Sequence, residues 1–192
     1  MDCLETILSR RSIRAYRPDP IPDAVIDKIL TGAMYAPSAD NLQPWFFVVV
    51  KTPSAICRLL GIMKQVPERL DDHLKHRFPR HPDVVAETKH FLKLLGGAPT
   101  CVLVFQREPL YSNDSRIIQQ SIAASIENAL ITAWSFGIGS CWLTAPLEAN
   151  VYQLIQNEFA PDKGPLAALF TLGYPADIPL APLRKKDRYI II

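Results

Sequence analysis

The spacing of apolar residues along the chain predicts an alternation of helices and strands. Leu4, Ile7 and Leu8 form a short helical stripe. Apolar positions three and four residues apart recur from Val25 to Met34, which predicts a second helix that ends before Pro37. Apolar runs predict four strands, at 45–51, 100–106, 140–143 and 165–172. The first run is continuously apolar and is expected to be buried on both faces.

Capping and proline signals predict the remaining helices. Thr52 and Pro53 suit a helix cap and a first helical position. Residues 115–136 and 147–159 follow helical spacing, and small or apolar residues surround most of the longer helix, which must therefore be central or packed against a partner. Residues 65–93 are charged and interrupted by prolines, which predicts one or two exposed helices joined by a mobile loop.

Length and composition favour one domain spanning 1–192 with a substantial core. The formal net charge of +2, from 21 basic and 19 acidic residues, gives no indication of nucleic-acid or membrane binding. The first residues are acidic where a signal peptide is basic, and no apolar run is long enough to span a bilayer, so we expect a cytoplasmic protein.

The cysteine and histidine patterns do not predict a metal site. The four cysteines form no CxxC pair and are expected to be reduced thiols. His73, His76 and His81 lack a cysteine or acid that would complete a recognisable site, so solvated histidines are the better interpretation.

The candidate chemistry begins at Ser9–Tyr16, where three arginines and a serine follow the first helix. If this segment is extended, Arg10, Ser12 and Arg14 share one face and form an anion site, because a guanidinium can grip a phosphate with two hydrogen bonds. A solvated basic run is the alternative, and spacing alone leaves it open.

Taken with four later motifs, this segment resembles the start of the FMN-dependent nitroreductase family. The later motifs are Ala36–Trp45, Glu127–Leu130, Gly137–Leu143 and Arg184–Lys186, in the family's order. The segment from about residue 61 to 97 matches poorly and is expected to be a variable helical lid or insert. The resemblance implies an α+β fold: a central mixed sheet of four to five strands flanked by helices, in an intertwined homodimer that exchanges its C-terminal tail.

The resemblance also implies roles for particular residues. Arg10, with Arg184 or Lys185, would bind the FMN phosphate; Arg14 would lie at the N1 and C2 oxygen edge of the flavin; and the backbone of Thr144 or Ala145 would meet N5. The full set of expected cofactor-binding residues is Arg10, Arg11, Ser12, Arg14, Pro37, Ser38, Asn41, Gln43, Leu143, Thr144, Ala145, Arg184 and Lys185. Thr144 and Ala145 stand where many relatives have glycine. Turn chemistry alone would also explain the polar loop from Pro37 to Pro44.

The expected function is FMN-dependent transfer of a hydride from NAD(P)H to a nitroaromatic, a quinone or a similar acceptor, without a catalytic side chain. No Walker loop or GxGxxG follows a strand, so the nicotinamide dinucleotide would visit as a substrate. The alternatives are specialised chemistry on the same scaffold, such as reductive dehalogenation or metabolite oxidation, and a flavin-binding module without turnover.

Overall fold

The computed structural model describes residues 2–107 and 114–192. The α-helices in these ranges are α1 (Cys3–Ser9), α2 (Asp23–Met34), α3 (Pro53–Met63), α4 (Val66–Arg69), α5 (Asp71–Arg77), α6 (Pro82–Leu94), α7 (Ser115–Ser135), α8 (Ala145–Glu148) and α9 (Tyr152–Phe159). The strands are β1 (Trp45–Val50), β2 (Thr100–Gln106), β3 (Gly139–Leu143) and β4 (Leu166–Gly173). The four strands predicted from apolar runs are therefore confirmed.

Side chains cap the starts of three helices, and the cap at Thr52 confirms the one expected from the sequence. The Asp2 carboxylate accepts a hydrogen bond from the Glu5 amide at 2.8 Å, and the Thr52 hydroxyl accepts one from the Ala55 amide at 3.3 Å. At the start of α7, the Asp114 carboxylate accepts a hydrogen bond from the backbone N–H of Arg116 at 2.9 Å. These side chains satisfy amides that have no partner inside the first helical turn.

The strands form one sheet in the order β1-β2-β4-β3, and each neighbouring pair is antiparallel. The expectation of a mixed sheet was wrong for these strands. In the described residues, parallel pairing is limited to an isolated bridge between Ser12 and Ser140, because the segment after α1, rather than another strand, runs alongside β3 in the same direction.

Alternating side chains of the central strands fill two cores, one on each side of the sheet. Cys101, Leu103 and Phe105 of β2 contribute to the core beneath α3–α6, α8 and α9, whereas Val102 and Val104 contribute to the core beneath α2 and α7. β1 lies at a sheet edge, and its middle residues are half-buried or exposed. The expectation that this strand is buried on both faces was therefore wrong.

Two helical regions differ from the sequence prediction. Residues 65–93 form α4, α5 and α6 rather than one or two exposed helices, and they bury Leu70, Leu74 and Phe91 in the core. The helix expected at 147–159 is two helices, because Asn150 adopts a left-handed φ of 52° between α8 and α9.

The long helix α7 is at least half-buried on all sides over 121–134 even in the single chain. Its buried stripe packs on the sheet and against α2. In the described ranges, none of the helices combines the length and apolar character needed to cross a membrane.

Candidate functional site

The arginine-containing segment runs along the free edge of β3. The Ile13 amide donates to the Ser140 carbonyl at 2.9 Å, and the Tyr16 amide donates to the Gly96 carbonyl at 3.1 Å. Ile13 is fully buried in the core beneath α3–α6. The segment is thus anchored by its backbone and by Ile13, which leaves the flanking polar side chains at the sheet edge.

The three arginines of this segment make different contacts. The Arg11 guanidinium folds back on α1 and donates to the carbonyl oxygens of Leu8 and Arg10 at 2.9 and 2.8 Å. Arg10 Nε lies 3.5 Å from Glu127 Oε1 of α7. The Arg14 guanidinium instead lies over the Phe91 ring of α6, 5.9 Å from its centroid. Of the three, Arg14 is directed to the side of the sheet covered by α6.

Arg14 lines a cavity of about 1240 Å³ between the edge of β3, α5, α6 and α8. Leu143, Thr144 and Ala145 line the same cavity. The structure therefore brings four of the expected site residues together. Pockets for single small ligands measure about 300–1,000 Å³, so this cavity has room for a ring system and a second molecule.

The face of β3 that meets α7 carries two polar atoms without partners. Ser140 Oγ and Trp142 Nε1 are buried and have no hydrogen-bond partner among the described residues. Ser140 is bridged to Ser12. A buried polar atom without a partner costs about 1–3 kcal/mol, so a ligand or water that bonds to this edge would be stabilised there.

Burial disfavours the thiolate form of Cys141 on the same strand. Burial raises the pKa of the Cys141 thiol, and the positive charges of Arg14 and Arg10 oppose that shift only in part. A protonated, buried thiol is a poor nucleophile. Cys141 is therefore a small buried residue of the core beneath α3–α6.

One acidic side chain connects α8 to α5 across the cavity. Thr144 Oγ1 donates to Glu148 Oε1 at 3.0 Å, and His73 Nε2 lies 3.9 Å from Glu148 Oε2. All three residues line the cavity. The Arg69 guanidinium adds hydrogen bonds to the carbonyl oxygens of Ala149 and Asn150 at 3.2 and 3.1 Å. The segment 65–93 therefore contacts α8 and the turn that follows it through polar side chains.

Comparison with protein families decides which fold family this arrangement represents. The model described as "Nitroreductase family" matches residues 7–174. The chain belongs to this family. The match spans the arginine segment, the sheet and all of the helices that line the cavity, and it confirms the resemblance seen in the sequence motifs.

Relatives in the nitroreductase family differ in the activities for which they are named. A protein of Archaeoglobus fulgidus, provisionally named NADH dehydrogenase/NAD(P)H nitroreductase, is 31% identical over 92% of this chain and 87% of its own. Iodotyrosine deiodinase 1 of Sus scrofa is 32% identical over 97% of this chain and 67% of its own. A crystal structure of a nitroreductase with bound FMN from Desulfitobacterium hafniense superposes with a TM-score of 0.79, covering 100% of this chain and 99% of that one at 18% identity, and so supports the fold.

Nine of the thirteen expected site residues do not line the cavity of this nitroreductase-family chain: Arg10, Arg11 and Ser12 of the arginine-containing segment, and six residues of two more distant segments. Pro37, Ser38, Asn41 and Gln43 belong to a loop whose Ala39 amide faces Ser121 of α7 at 3.4 Å. Two hydrogen bonds within the loop stabilise it. The backbone N–H of Gln43 donates to the Ser38 hydroxyl, and the side-chain Nε2 of Gln43 donates to Asn41 Oδ1. Arg184 and Lys185 stand on an exposed tail. None of these six residues lines the cavity.

The sequence motifs did not indicate the part of the cavity wall built by α5, α6 and the turn between them. His73, Arg77, Phe78, His90 and Phe91 all line it, although they lie in the segment where no family motif was recognised from the sequence. Their only sequence signal is the presence of aromatic and histidine residues in an otherwise charged stretch. Because the packing of two separate helices places them, no local spacing could predict that they converge.

Proposed function

We propose that this chain binds FMN and transfers a hydride from NAD(P)H to a small electron acceptor such as a quinone or a nitroaromatic. The observation that carries the proposal is Arg14, a guanidinium beside a cavity large enough for a ring system, in a chain of the nitroreductase family. The relatives named for NAD(P)H and the FMN-bound neighbour support the choice of donor and cofactor.

The side chains at the sheet edge fit this cofactor. Arg14 offers a cation at the cavity, and Trp142, which also lines it, carries an indole N–H that has no partner among the described residues. Ser12 and Ser140 lie at the same sheet edge but do not line the cavity. Bound FMN would supply the hydride chemistry, accepting two electrons from one substrate and passing them to the next. The chain's own residues would position it: Arg14 beside the ring, Arg10 at the phosphate, and the backbone of Thr144 and Ala145 at the opposite ring edge.

The expected residues that lie outside the cavity support a dimer as the active form. The loop containing Ser38 and Asn41 lies against α7, and the tail that carries Arg184 and Lys185 is exposed in the single chain. In the proposed homodimer, each subunit would contribute its loop and its exchanged tail to the partner's site, and the segment 61–97 would form a lid over the acceptor.

The deciding experiment is an absorbance spectrum of the purified protein, followed by acid release of the chromophore. We expect flavin bands and FMN at one per subunit. Steady oxidation of NADH or NADPH with menadione would then support turnover. Release of FAD, or no flavin binding after reconstitution, would refute the proposal, and FMN binding without turnover would favour a storage or sensing module.

A second candidate is reductive dehalogenation on the same scaffold. It is favoured by the similarity to iodotyrosine deiodinase 1, which extends over 97% of this chain. Halide release from a halogenated phenol under reducing conditions, faster than menadione reduction, would support it over the first candidate.

A further inference from the structure

Among the histidines of the described residues, His73 alone combines three features. It lines the cavity, its Nε2 is within ion-pair distance of Glu148 at 3.9 Å, and its side chain remains about half exposed, at 55%. Glu148 is itself held by the Thr144 hydroxyl at 3.0 Å. Thr144 is one of the two residues, with Ala145, whose backbone is proposed to meet the flavin ring, so the chain of contacts ends where an acceptor would react.

We infer that His73 is the proton donor to the electron acceptor, with Glu148 positioning its imidazolium. This inference rests on the proposed function, because it concerns the half-reaction in which the acceptor is reduced. Histidine is the side chain best suited to exchanging a proton near neutral pH. A carboxylate that holds one ring nitrogen fixes the orientation of the other, as in other histidine–carboxylate pairs.

The proton balance of the reaction requires such a donor or water. A quinone becomes a hydroquinone by taking up one hydride from the reduced cofactor and one proton. In the proposed step, the second O–H bond of the hydroquinone forms as the Nδ1–H bond of the His73 imidazolium breaks, while Nε2 stays within ion-pair distance of Glu148. The exposed imidazole then takes a proton from water, which restores the starting state.

The other side chains of the cavity wall are weaker candidates. Arg14 and Arg77 also line it, but a guanidinium does not release its proton in proteins. His90 lines the cavity from α6, yet no ion pair with a carboxylate is found for it in the described residues, whereas His76 and His81 do not line the cavity. The charged or titratable groups that share the cavity with His73 are Arg14, Arg77, Glu87, His90, Cys141 and Glu148.

Comparison of two acceptors isolates the proton-transfer step. Ferricyanide accepts single electrons and takes up no proton, whereas menadione needs one with its hydride. In the flavin-loaded protein, we expect His73→Gln to slow oxidation of the reduced flavin by menadione at least about tenfold. A general acid typically contributes about 10²–10⁴-fold to a rate. We expect a loss near the lower end because water can also reach the site and donate the proton. Oxidation by ferricyanide and reduction by NADH should stay unchanged.

Matched variants define the controls. His76→Gln changes the same residue type on the same helix but outside the cavity, so it should leave both acceptors unaffected. Glu148→Gln should slow menadione reduction less than His73→Gln does. In wild type, the menadione rate should depend on pH, and this dependence should disappear in His73→Gln.

Several results would overturn the inference. Equal menadione rates in wild type and His73→Gln would do so, as would an equal loss with both acceptors, which indicates a structural role. Loss of the menadione rate and its pH dependence in His90→Gln but not in His73→Gln would transfer the role to His90. The inference is also refuted if wild type binds FMN and reduces ferricyanide with NADH, but wild type and His73→Gln do not differ with menadione. That result leaves the proposed function intact.

Discussion

The phenol oxygen of Tyr16 lies 2.6 Å from the hydroxyl oxygen of Thr171, inside the fold beside Cys141. The Tyr16 hydroxyl also donates to the Ile13 carbonyl oxygen at 2.7 Å, so the Thr171 hydroxyl donates to Tyr16 and has the Cys141 carbonyl oxygen as a second, longer acceptor at 3.4 Å. Burial raises the pKa of Tyr16 well above its ordinary value, which keeps the phenol protonated. This pair ties the arginine-containing segment to the central strand β4.

Removing the Tyr16 hydroxyl should therefore destabilise the fold and loosen the segment. In Tyr16→Phe, the Ile13 carbonyl and the Thr171 hydroxyl each lose a buried partner, and we expect a loss of about 1–3 kcal/mol in the free energy of unfolding. Thermal unfolding measures this, at about 2–4 °C for each kcal/mol in a chain of this size. Thr171→Val removes the other partner, so the double variant should lose less than the sum of the two single variants. Additive losses would mean that the two hydroxyls do not interact.

The elements of this fold follow from local patterns, but their arrangement does not. The apolar run from Phe46 to Val50 predicts a strand wherever it is placed. In the part of the chain that the structure describes, it lies at the sheet edge and pairs with β2, and this position depends on residues more than fifty positions away. For that reason the expected burial on both faces was wrong, although the strand itself was confirmed. The break at Asn150 was missed because a left-handed residue interrupts a helix without changing the apolar spacing.

The candidate site shows the same division. Arg14 and Leu143–Ala145 were predicted from motifs that resemble the nitroreductase family, and the structure places them at one cavity, while their roles toward a cofactor stay predictions. The pairing of Arg10 with Glu127 could not be predicted, because it depends on how α7 crosses the sheet edge. The roles of Ser38 and Arg184 stay predictions, since a site shared between two copies is not visible in one chain.

Gly96 fixes the position of Arg14, and substitution should reveal this. A Cβ on Gly96 would lie 2.2 Å from the Arg14 carbonyl oxygen, and the residue has φ of +65°. Gly97 has a similar φ of +72°, but a Cβ there would meet nothing within 4 Å. Both alanine variants carry left-handed strain of about 1–2 kcal/mol. Only Gly96→Ala should also weaken FMN binding, measured by flavin fluorescence. Equal loss in both variants would contradict this role.

The cysteines should divide into two reactivity classes. Cys3 and Cys57 are exposed, whereas burial raises the pKa of Cys101 to about 12 and that of Cys141 in the same direction. A raised pKa keeps a thiol protonated near neutral pH, and the thiolate is the reactive form. The double variant Cys3→Ser/Cys57→Ser should thus resist N-ethylmaleimide until it is unfolded, as followed by mass spectrometry. Rapid modification of the folded double variant would show that a buried thiol is accessible.

The C-terminal tail should stabilise both the dimer and the flavin. Ile190, Ile191 and Ile192 are at least 80% exposed in the single chain, an arrangement that favours burial against a partner, and obligate interfaces commonly exceed about 2,000 Å². Deleting Arg188–Ile192 should weaken association in analytical ultracentrifugation and release FMN.

Arg184→Ala with Lys185→Ala provides the control for the tail deletion. This double substitution keeps the apolar end, so it should weaken FMN binding while the protein stays dimeric. A truncated chain that remains dimeric and flavin-bound would refute the proposed role of the tail, and a truncated monomer that keeps its flavin would show that the site is complete in one subunit.

Arg14 and Arg10 should affect the flavin in different ways. If Arg14 lies at the N1 and C2 oxygen edge, its charge favours the anionic reduced flavin over the neutral oxidised one. A hydrogen bond to a charged group contributes about 1.5–3 kcal/mol, and about 1.4 kcal/mol corresponds to about 30 mV for two electrons. Arg14→Leu should therefore lower the midpoint potential by several tens of millivolts and slow hydride transfer from NAD(P)H.

Arg10→Leu is the matched comparison, because it removes a guanidinium from the same segment but from the side that faces Glu127 of α7. It should weaken FMN affinity and leave the potential of the remaining bound flavin unchanged. Arg14→Lys, which keeps a charge without the planar fork, should recover part of the potential lost in Arg14→Leu. Spectroelectrochemical titration of the three variants measures both effects. If Arg14→Leu and Arg10→Leu lose flavin equally and neither shifts the potential, then Arg14 acts only as a second phosphate ligand.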